Sequence, residues 1–343
     1  MQKFTLQGKH AKPHKAVKRP NFKIRSAHVS DKFQFVSMFL YSAGENGRTA
    51  RTYWHQASNF YIANKNVDFL AKPLTSYYCA LNMAKALLQF DGQTMSSVYH
   101  GVSGRADGNS VNLANEVVEF KQNGVLPDLC AYFDEPRQNN EEYCVRDLLY
   151  NLPHIHRAFC MTQTTWEKNE LFIPLMNCGY YRIGQQREIF FRGELSPNWT
   201  SGHTINKAPN AFEEDFHDED VQAIRMRKRT TYTGNSDAVK IRALKRINKR
   251  IRKHIFPIFD APGVWYLKRS EVDSSNLGYI KRSPIILSFA ALHRLSELSR
   301  YDPKQLEAHF AKKYGWVLQE FLARTLDQLL DDFTTEITGR EAL

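Results

Sequence analysis

Apolar positions recur at three- and four-residue steps over much of the chain, the spacing of a single helix face. After Lys72-Pro73 they fall at Leu74, Tyr77, Tyr78, Leu81, Ala84 and Leu88. This predicts a helix that Pro73 opens and Asp91-Gly92 ends. A first packed element is predicted at 33–41 and a shorter helix at 53–62, with a polar, Gly-containing turn at 44–51 between them. Residues 142–160 read as helix up to Leu149, broken at Pro153 and resuming after it. Two more helices are predicted near the end, from Pro284 through Leu298 and from about Trp316 to Phe333, with a turn at Tyr301-Asp302-Pro303. Residues 237–255 form the most amphipathic stretch, with Leu244, Ile247, Ile251 and Ile255 on one stripe and Lys or Arg over most of the rest.

Other stretches lack that period. Phe172, Ile173, Leu175, Tyr180, Tyr181, Ile183, Ile189, Phe190 and Phe191 favour strand, and Gly179 and Gly184 punctuate them. Two or three short strands are predicted at 171–195, and another at 263–268. Residues 100–112, with Gly101, Gly104 and Gly108, read as loop. Residues 113–120 alternate weakly and stay open between strand and helix. Residues 1–30 hold Lys, His and Pro with isolated apolar residues, which predicts a flexible arm.

Charge changes the picture. The chain has 343 residues, 42% of them hydrophobic, and a formal net charge of +11. That apolar content excludes wholesale disorder. Residues 225–254 hold twelve Lys or Arg against Asp237 alone, and residues 1–32 hold nine against Asp31 alone. The remainder is therefore acidic. An acidic run, Glu213, Glu214, Asp215, Asp218, Glu219 and Asp220, directly precedes the larger basic segment. The two are expected to pair when no ligand is bound. Segregated charge of this kind points to a polyanionic partner, most often nucleic acid.

No stretch reaches the roughly 18 apolar residues of a membrane span. The basic start has no apolar h-region, which argues against a secretory signal, although charge alone leaves a transit peptide open. Five widely spaced cysteines fit reduced thiols better than a disulfide framework, so a cytoplasmic location is expected. The sequon at Asn198 then has no role.

Four blocks resemble the YaaC-like family of bacterial proteins. They are Lys72-Pro73-Leu74 with Tyr77-Tyr78, Leu81 and Lys85-Ala86-Leu87; His100-Gly101-Val102 with Arg105; Glu116-Val117 with Gln122-Asn123-Gly124 and Leu129; and Leu295 with Leu298-Ser299-Arg300-Tyr301 and Pro303. They cover roughly half the chain in order, and leave out the arm and residues 237–254. The resemblance implies a bacterial, cytoplasmic, largely helical protein and assigns no reaction.

The strongest candidate contact is the basic segment. Arg225, Arg227, Lys228, Arg229, Lys240, Lys245, Arg246, Lys249, Arg250 and Lys253 would neutralise phosphates, giving salt-dependent and largely sequence-independent affinity. The plainer alternative is a solvated helix docked by its apolar stripe. That stripe has no Trp, which argues against a membrane helix.

Catalytic candidates are weaker. His100 and Arg105 lie in a Gly-containing loop suited to binding an anion or placing a general acid or base, the plainer alternative being that His100 bonds nearby backbone and the glycines turn the chain; without a Lys-Ser/Thr it is no P-loop. Glu116 and Glu119, with Lys121 and Asp128, offer the carboxylates of a metal-dependent nuclease. Arg48 and His55 have the Arg-x6-His spacing of HEPN-class endoribonucleases. Cys144, His154, His156 and Cys160 lack the tight pairs of a zinc site and read as ordinary buried thiols and histidines.

The expected fold is α+β, predominantly α-helical with a small antiparallel β component. The expected organisation is a basic flexible arm at 1–32, a helical body at 33–195 with short strands at its end, a charged insertion at 196–236, and the basic helix plus C-terminal helices at 237–343. The expected function is a non-catalytic, nucleic-acid-binding component of a bacterial multi-protein system, with genome or phage defence as a setting. A nuclease and a protein-interaction scaffold are the alternatives. Expected partners are DNA or RNA and other protein subunits, with no membrane, no metal and no cofactor.

Overall fold

The computed structural model describes residues 1–93, 99–137, 139–162, 170–216, 221–270 and 278–343. Contacts divide the chain into two units, Met1–His28 with Glu170–Asn276 and Gly339–Leu343, and Val29–Asn169 with Leu277–Thr338. Elements are numbered in chain order across both.

The first unit is built on a sheet. Its strands are β1 (Gln2–Lys3), β2 (Thr5–Leu6), β3 (Lys9–His10), β4 (Ser26–Ala27), β8 (Phe172–Arg182), β9 (Glu188–Leu195), β10 (Phe212–Asp215), β11 (Ala223–Met226), β12 (Thr230–Thr231), β13 (Ile255–Pro257), β14 (Trp265–Lys268) and β15 (Glu341–Ala342). Its helices are the short α7 (Gly202–Ile205) and the longer α8 (Asp237–Ile251). Eight strands form one antiparallel sheet in the order β10-β11-β9-β8-β14-β13, with β1 also on β8 and β12 also on β9. β2 pairs with β3, and β15 runs parallel to β4.

A bulge in β8 sets which side chains meet α8. Register shifts between Met176 and Gly179, and Asn177 takes a left-handed φ of 48°. Ile173 and Leu175 before it, and Cys178 and Tyr180 after it, all enter the same core. One extra residue has switched the inward set from odd to even positions, as a bulge must. Ala243, Leu244, Ile247 and Ile251 of α8 enter that core with Ile189, Phe191 and Leu267.

The unit corrects the expectation of a helix-dominated fold with a small β component. Among the described residues of the whole chain, helix makes up 45% and strand 19%, with eight strands gathered in one large sheet. The two long strands at 171–195 and the one at 263–268 are where the pattern put them. The others run two to four residues, too short to show alternation.

The segment read as a flexible arm is also packed. Phe4, Leu6 and Ala11 are buried in the α8 core. Phe4 donates its N–H to Tyr180 O at 2.8 Å, and Tyr180 donates to Ala11 O at 2.9 Å. Buried Asn248 of α8 accepts His14 N–H at 2.8 Å and donates to Ala16 O at 2.8 Å. Residues 196–236, read as an insertion, supply β10, β11 and β12, and Phe212, Ile224 and Met226 join the core.

The second unit is helical. It contains α1 (Lys32–Tyr41), α2 (Gly44–Asn66), α3 (Lys72–Phe90), α4 (Val125–Tyr132), α5 (Val145–Tyr150), α6 (His156–Thr162), α9 (Pro284–Tyr301), α10 (Pro303–Phe310) and α11 (Gly315–Thr338). A three-stranded antiparallel sheet, β5 (Val102–Ala106), β6 (Glu116–Phe120) and β7 (Glu141–Cys144), completes it. α3 is buried along most of its length and packs on α2, α9 and α11. The turn expected at 44–51 is the first part of α2. Gly47 sits where a Cβ would lie 2.3 Å from Leu40 O, so the glycine serves close packing on α1 rather than a turn. The loop expected at 100–112 contains β5, and α10 follows directly on the turn at 301–303.

Candidate functional site

α8 presents two different faces. Ala243, Leu244, Ile247, Asn248 and Ile251 are buried. Arg242, Lys245, Arg246, Lys249 and Lys253 are exposed, and Lys240 and Arg250 are half-buried. Asp237, in the first turn, is the helix's one acid. The burial of the stripe is what forces the cations outward, since a charged head cannot enter an apolar core unpaired. Two arginines are held in place: Arg246 donates to Thr231 O at 2.6 Å, and Arg250 donates to Lys228 O at 3.2 Å and Thr230 Oγ1 at 3.2 Å. These acceptors are neutral, so they do not cancel the charge of either guanidinium.

The upstream cluster differs. Arg225 and Arg227 both bond Glu213, at 2.8 and 3.0 Å. Arg229 pairs with Glu188 at 3.2 Å. Asp215 takes buried Arg192 at 2.8 Å. The described part of the acidic run therefore neutralises part of the basic segment; Asp218, Glu219 and Asp220 lie outside the described residues. Lys228 is exposed.

The Glu116 carboxylate is the centre of a buried network in the helical unit. Arg294 of α9 donates to its Oε2 at 2.7 and 2.9 Å, and His309 of α10 meets Oε1 at 2.8 Å. His309 in turn meets Tyr314 at 2.9 Å, and Arg294 also bonds Glu297 at 3.2 Å. Burial alone would raise the Glu116 pKa, but the His309 hydrogen bond and Arg294 override it and hold the carboxyl below its usual range. Arg294 and Glu297 line a cavity of about 350 Å³ with Gly104, Asn109, Tyr301 and Gln305. Sequence reading missed Arg294, Glu297, His309 and Tyr314. They lie some 180 to 200 residues from Glu116, and no local spacing signals them.

The carboxylate pair of the nuclease reading is separated. Glu116 and Glu119 are three apart on β6, so they face opposite sides of the sheet. Glu116 is buried, while Glu119 pairs with Lys121 at 2.6 Å and Asp128 with Arg137 at 2.9 Å. Arg48 and His55 both lie on α2, two turns apart. Arg48 is taken by Glu45, and His55 meets Ser37 at 3.3 Å. Arg105 is exposed and already shared between Asp107 and Glu142. His100 meets Tyr77 at 2.6 Å, and burial, with Lys85 nearby, lowers its pKa. Cys144 stands apart from His154, which meets Thr325 at 3.0 Å, and from His156, which meets Cys160 at 3.4 Å. Among the described residues, no group of three or more His, Cys, Asp or Glu could hold a metal ion. No helix among them is long and apolar enough to cross a membrane.

The model of a family described as YaaC-like Protein matches residues 20–337. The chain belongs to the YaaC-like family. The match takes in α8, which the four sequence blocks had left out. In this YaaC-like chain the blocks converge within the helical unit: Tyr77 with His100, and Glu116 with Arg294 next to Leu295. Gly101 and Gly124, from two blocks, meet backbone to backbone. A Cβ on Gly124 would lie 2.4 Å from Gly101 N, and both glycines have positive φ. The carbonyls of Tyr99, His100 and Gly101 are held by the N–H groups of Val125, Leu126 and Lys121, so this segment is fixed against the start of α4. No match was found among curated proteins or among solved structures.

Proposed function

We propose that the chain is a non-catalytic nucleic-acid-binding protein whose contact surface is the outer face of α8. The observation that carries this reading is a helix whose apolar stripe is locked in the core while Lys240, Arg242, Lys245, Arg246, Lys249 and Arg250 lie off that stripe and Lys253 follows its end, Asp237 being the one carboxylate of the helix itself. Fifteen residues make a rod about 22 Å long. That matches about six phosphates of one strand at roughly 3.4 Å each. Arg246, anchored to the Thr231 carbonyl of β12, and Arg250, anchored to the Lys228 carbonyl and the Thr230 hydroxyl, present their charge at low entropic cost on binding. Backbone contacts of this type position a protein on nucleic acid and carry no sequence readout.

The test is binding of labelled DNA and RNA across a salt series. The expected result is a linear fall of log K with log salt, about 0.9 per phosphate neutralised on duplex DNA. Lys245→Glu with Lys249→Glu should weaken binding and flatten the slope. Affinity indifferent to salt, or to that charge reversal, rejects the reading. Co-purification of a protein that survives nuclease and high salt would favour an acidic protein surface as the true partner of this face.

A further inference from the structure

The sheet unit also contains a cavity of about 680 Å³, none of whose lining residues lies on α8. That volume falls within the range of small-ligand sites. Its floor is apolar: Phe22 packs on the α8 core and Trp265 belongs to it. Its rim is cationic, with Lys9, Lys12 and Lys23 exposed around it. The lining includes one carboxylate, Glu341, and that charge is already engaged. Arg25 bonds it side-on, through Nε at 3.2 Å and Nη2 at 2.9 Å. The same guanidinium donates to Lys12 O at 2.9 Å and to Pro13 O, which fixes the wall that carries Lys12. Among the described residues, Lys9, Lys12 and Lys23 have no carboxylate partner. Half-buried His10 also lines the cavity and bonds the Tyr180 carbonyl, which favours its charged form. Burial lowers its pKa first, and Lys3 and Lys12 lower it further.

Three exposed lysines lining one cavity with Phe22 and Trp265 suit a ligand with a multiply charged anionic end and a flat organic body. A single carboxylate would leave most of that charge unmet. We propose that this cavity binds a free nucleoside phosphate, with the phosphate on Lys9, Lys12 and Lys23 and the base and sugar against Phe22 and Trp265. The site is independent of the α8 surface and does not rest on the nucleic-acid reading.

Titration calorimetry of the full chain with AMP, ATP, adenosine and inorganic phosphate tests it. AMP and ATP are expected to bind at one site per chain, with adenosine at least about tenfold weaker, since a charge-assisted hydrogen bond contributes that much. Lys12→Glu with Lys23→Glu should weaken ATP about tenfold or more, and Lys245→Glu with Lys249→Glu should leave it unchanged. The lysines are exposed, and the milder pair Lys12→Gln with Lys23→Gln guards against a folding defect, checked by thermal melting. The proposal is overturned if neither nucleotide binds at roughly millimolar concentration. It is equally overturned if adenosine or inorganic phosphate matches AMP. Loss of ATP binding in the α8 variant alone would place the nucleotide on that helix and also overturn it.

Discussion

Asn248 accepts the backbone N–H of His14 at 2.8 Å, from the middle of the apolar stripe of α8. Its amide nitrogen reaches Ala16 O at 2.8 Å, and its oxygen also takes the Tyr180 hydroxyl at 3.0 Å. One buried polar side chain thus joins the N-terminal segment, the basic helix and the central strand. Replacing it by Ala strands several buried groups at once, each costing about 1–3 kcal/mol. Asn248→Ala is expected to lose about 3 kcal/mol or more in urea unfolding, with faster hydrogen exchange at 14–16. Lys245→Ala, three residues away and exposed, should stay within about 0.5 kcal/mol. Equal effects from the two would show that the clasp contributes nothing.

Glu213 divides the basic segment into neutralised and available charge. Arg225→Ala and Arg227→Ala should therefore weaken nucleic-acid binding less than Lys245→Ala. Glu213→Gln, which removes the carboxylate from both arginines, should strengthen binding and steepen the salt dependence by up to about two phosphate equivalents. A filter-binding series at fixed salt measures all of these. A weakening by Glu213→Gln would show that the ion pairs support the surface instead of competing for it.

The helical unit should be acid-labile. Burial pushes the His154 and His293 pKa values down to about 3, from an ordinary 6.5. The unfolded chain takes up those protons near pH 6.5 and the folded chain does not until about pH 3. Stability is therefore fully present above pH 6.5 and is lost as pH falls, by up to about 1.4 kcal/mol per pH unit for each histidine. Glu116, held below its usual range, adds a further loss as pH drops below about 4.5. Urea midpoints at pH 7, 6 and 5 should fall in order, and His154→Gln should make the decline shallower. A midpoint flat over that range would mean the histidines are open to water.

The Glu116–Arg294 pair is a liability if broken. Glu116→Gln leaves the buried guanidinium with Glu297 as its one remaining carboxylate among the described residues, and a loss of about 3 kcal/mol is expected by thermal or chemical unfolding. Nucleic-acid affinity measured on the folded fraction should not change, because the pair belongs to the helical unit and the proposed surface to the other. A loss of affinity in step with Glu116→Gln would move the binding site.

Gly124→Ala should be worse than a surface change. Its φ of 125° and the 2.4 Å approach to Gly101 N leave no room for a methyl group. A loss above about 3 kcal/mol, or failure to accumulate as folded protein, is expected. Gly184→Ala, where nothing lies within 4 Å, should cost far less despite its positive φ. Similar costs would show that conformation rather than close approach governs both sites.

Long periodic elements were legible without coordinates. α3, α8, α9 and α11 follow from three- and four-residue apolar spacing, because a helix records its buried face locally. β8 and β9 follow from runs of β-branched and aromatic residues. The parity switch at Asn177 did not, since one extra residue changes the facing of every later side chain without altering composition. Short strands such as β1 and β12 were hidden because two residues have no period; only their partners in β8 and β9 make them strands.

The sequence by itself determined the family, the amphipathic basic helix and the segregation of positive charge. Those properties are written in order, composition and local spacing. Tertiary structure decided which charges remain available, that the N-terminal segment packs into a core, and that Glu116 is a buried ion-pair centre rather than half of a carboxylate pair. The reason is that hydrogen bonds and ion pairs act through space. Glu116 meets Arg294, and Asn248 meets His14, only once folding has closed loops of about two hundred residues, a distance over which sequence spacing carries no geometric information.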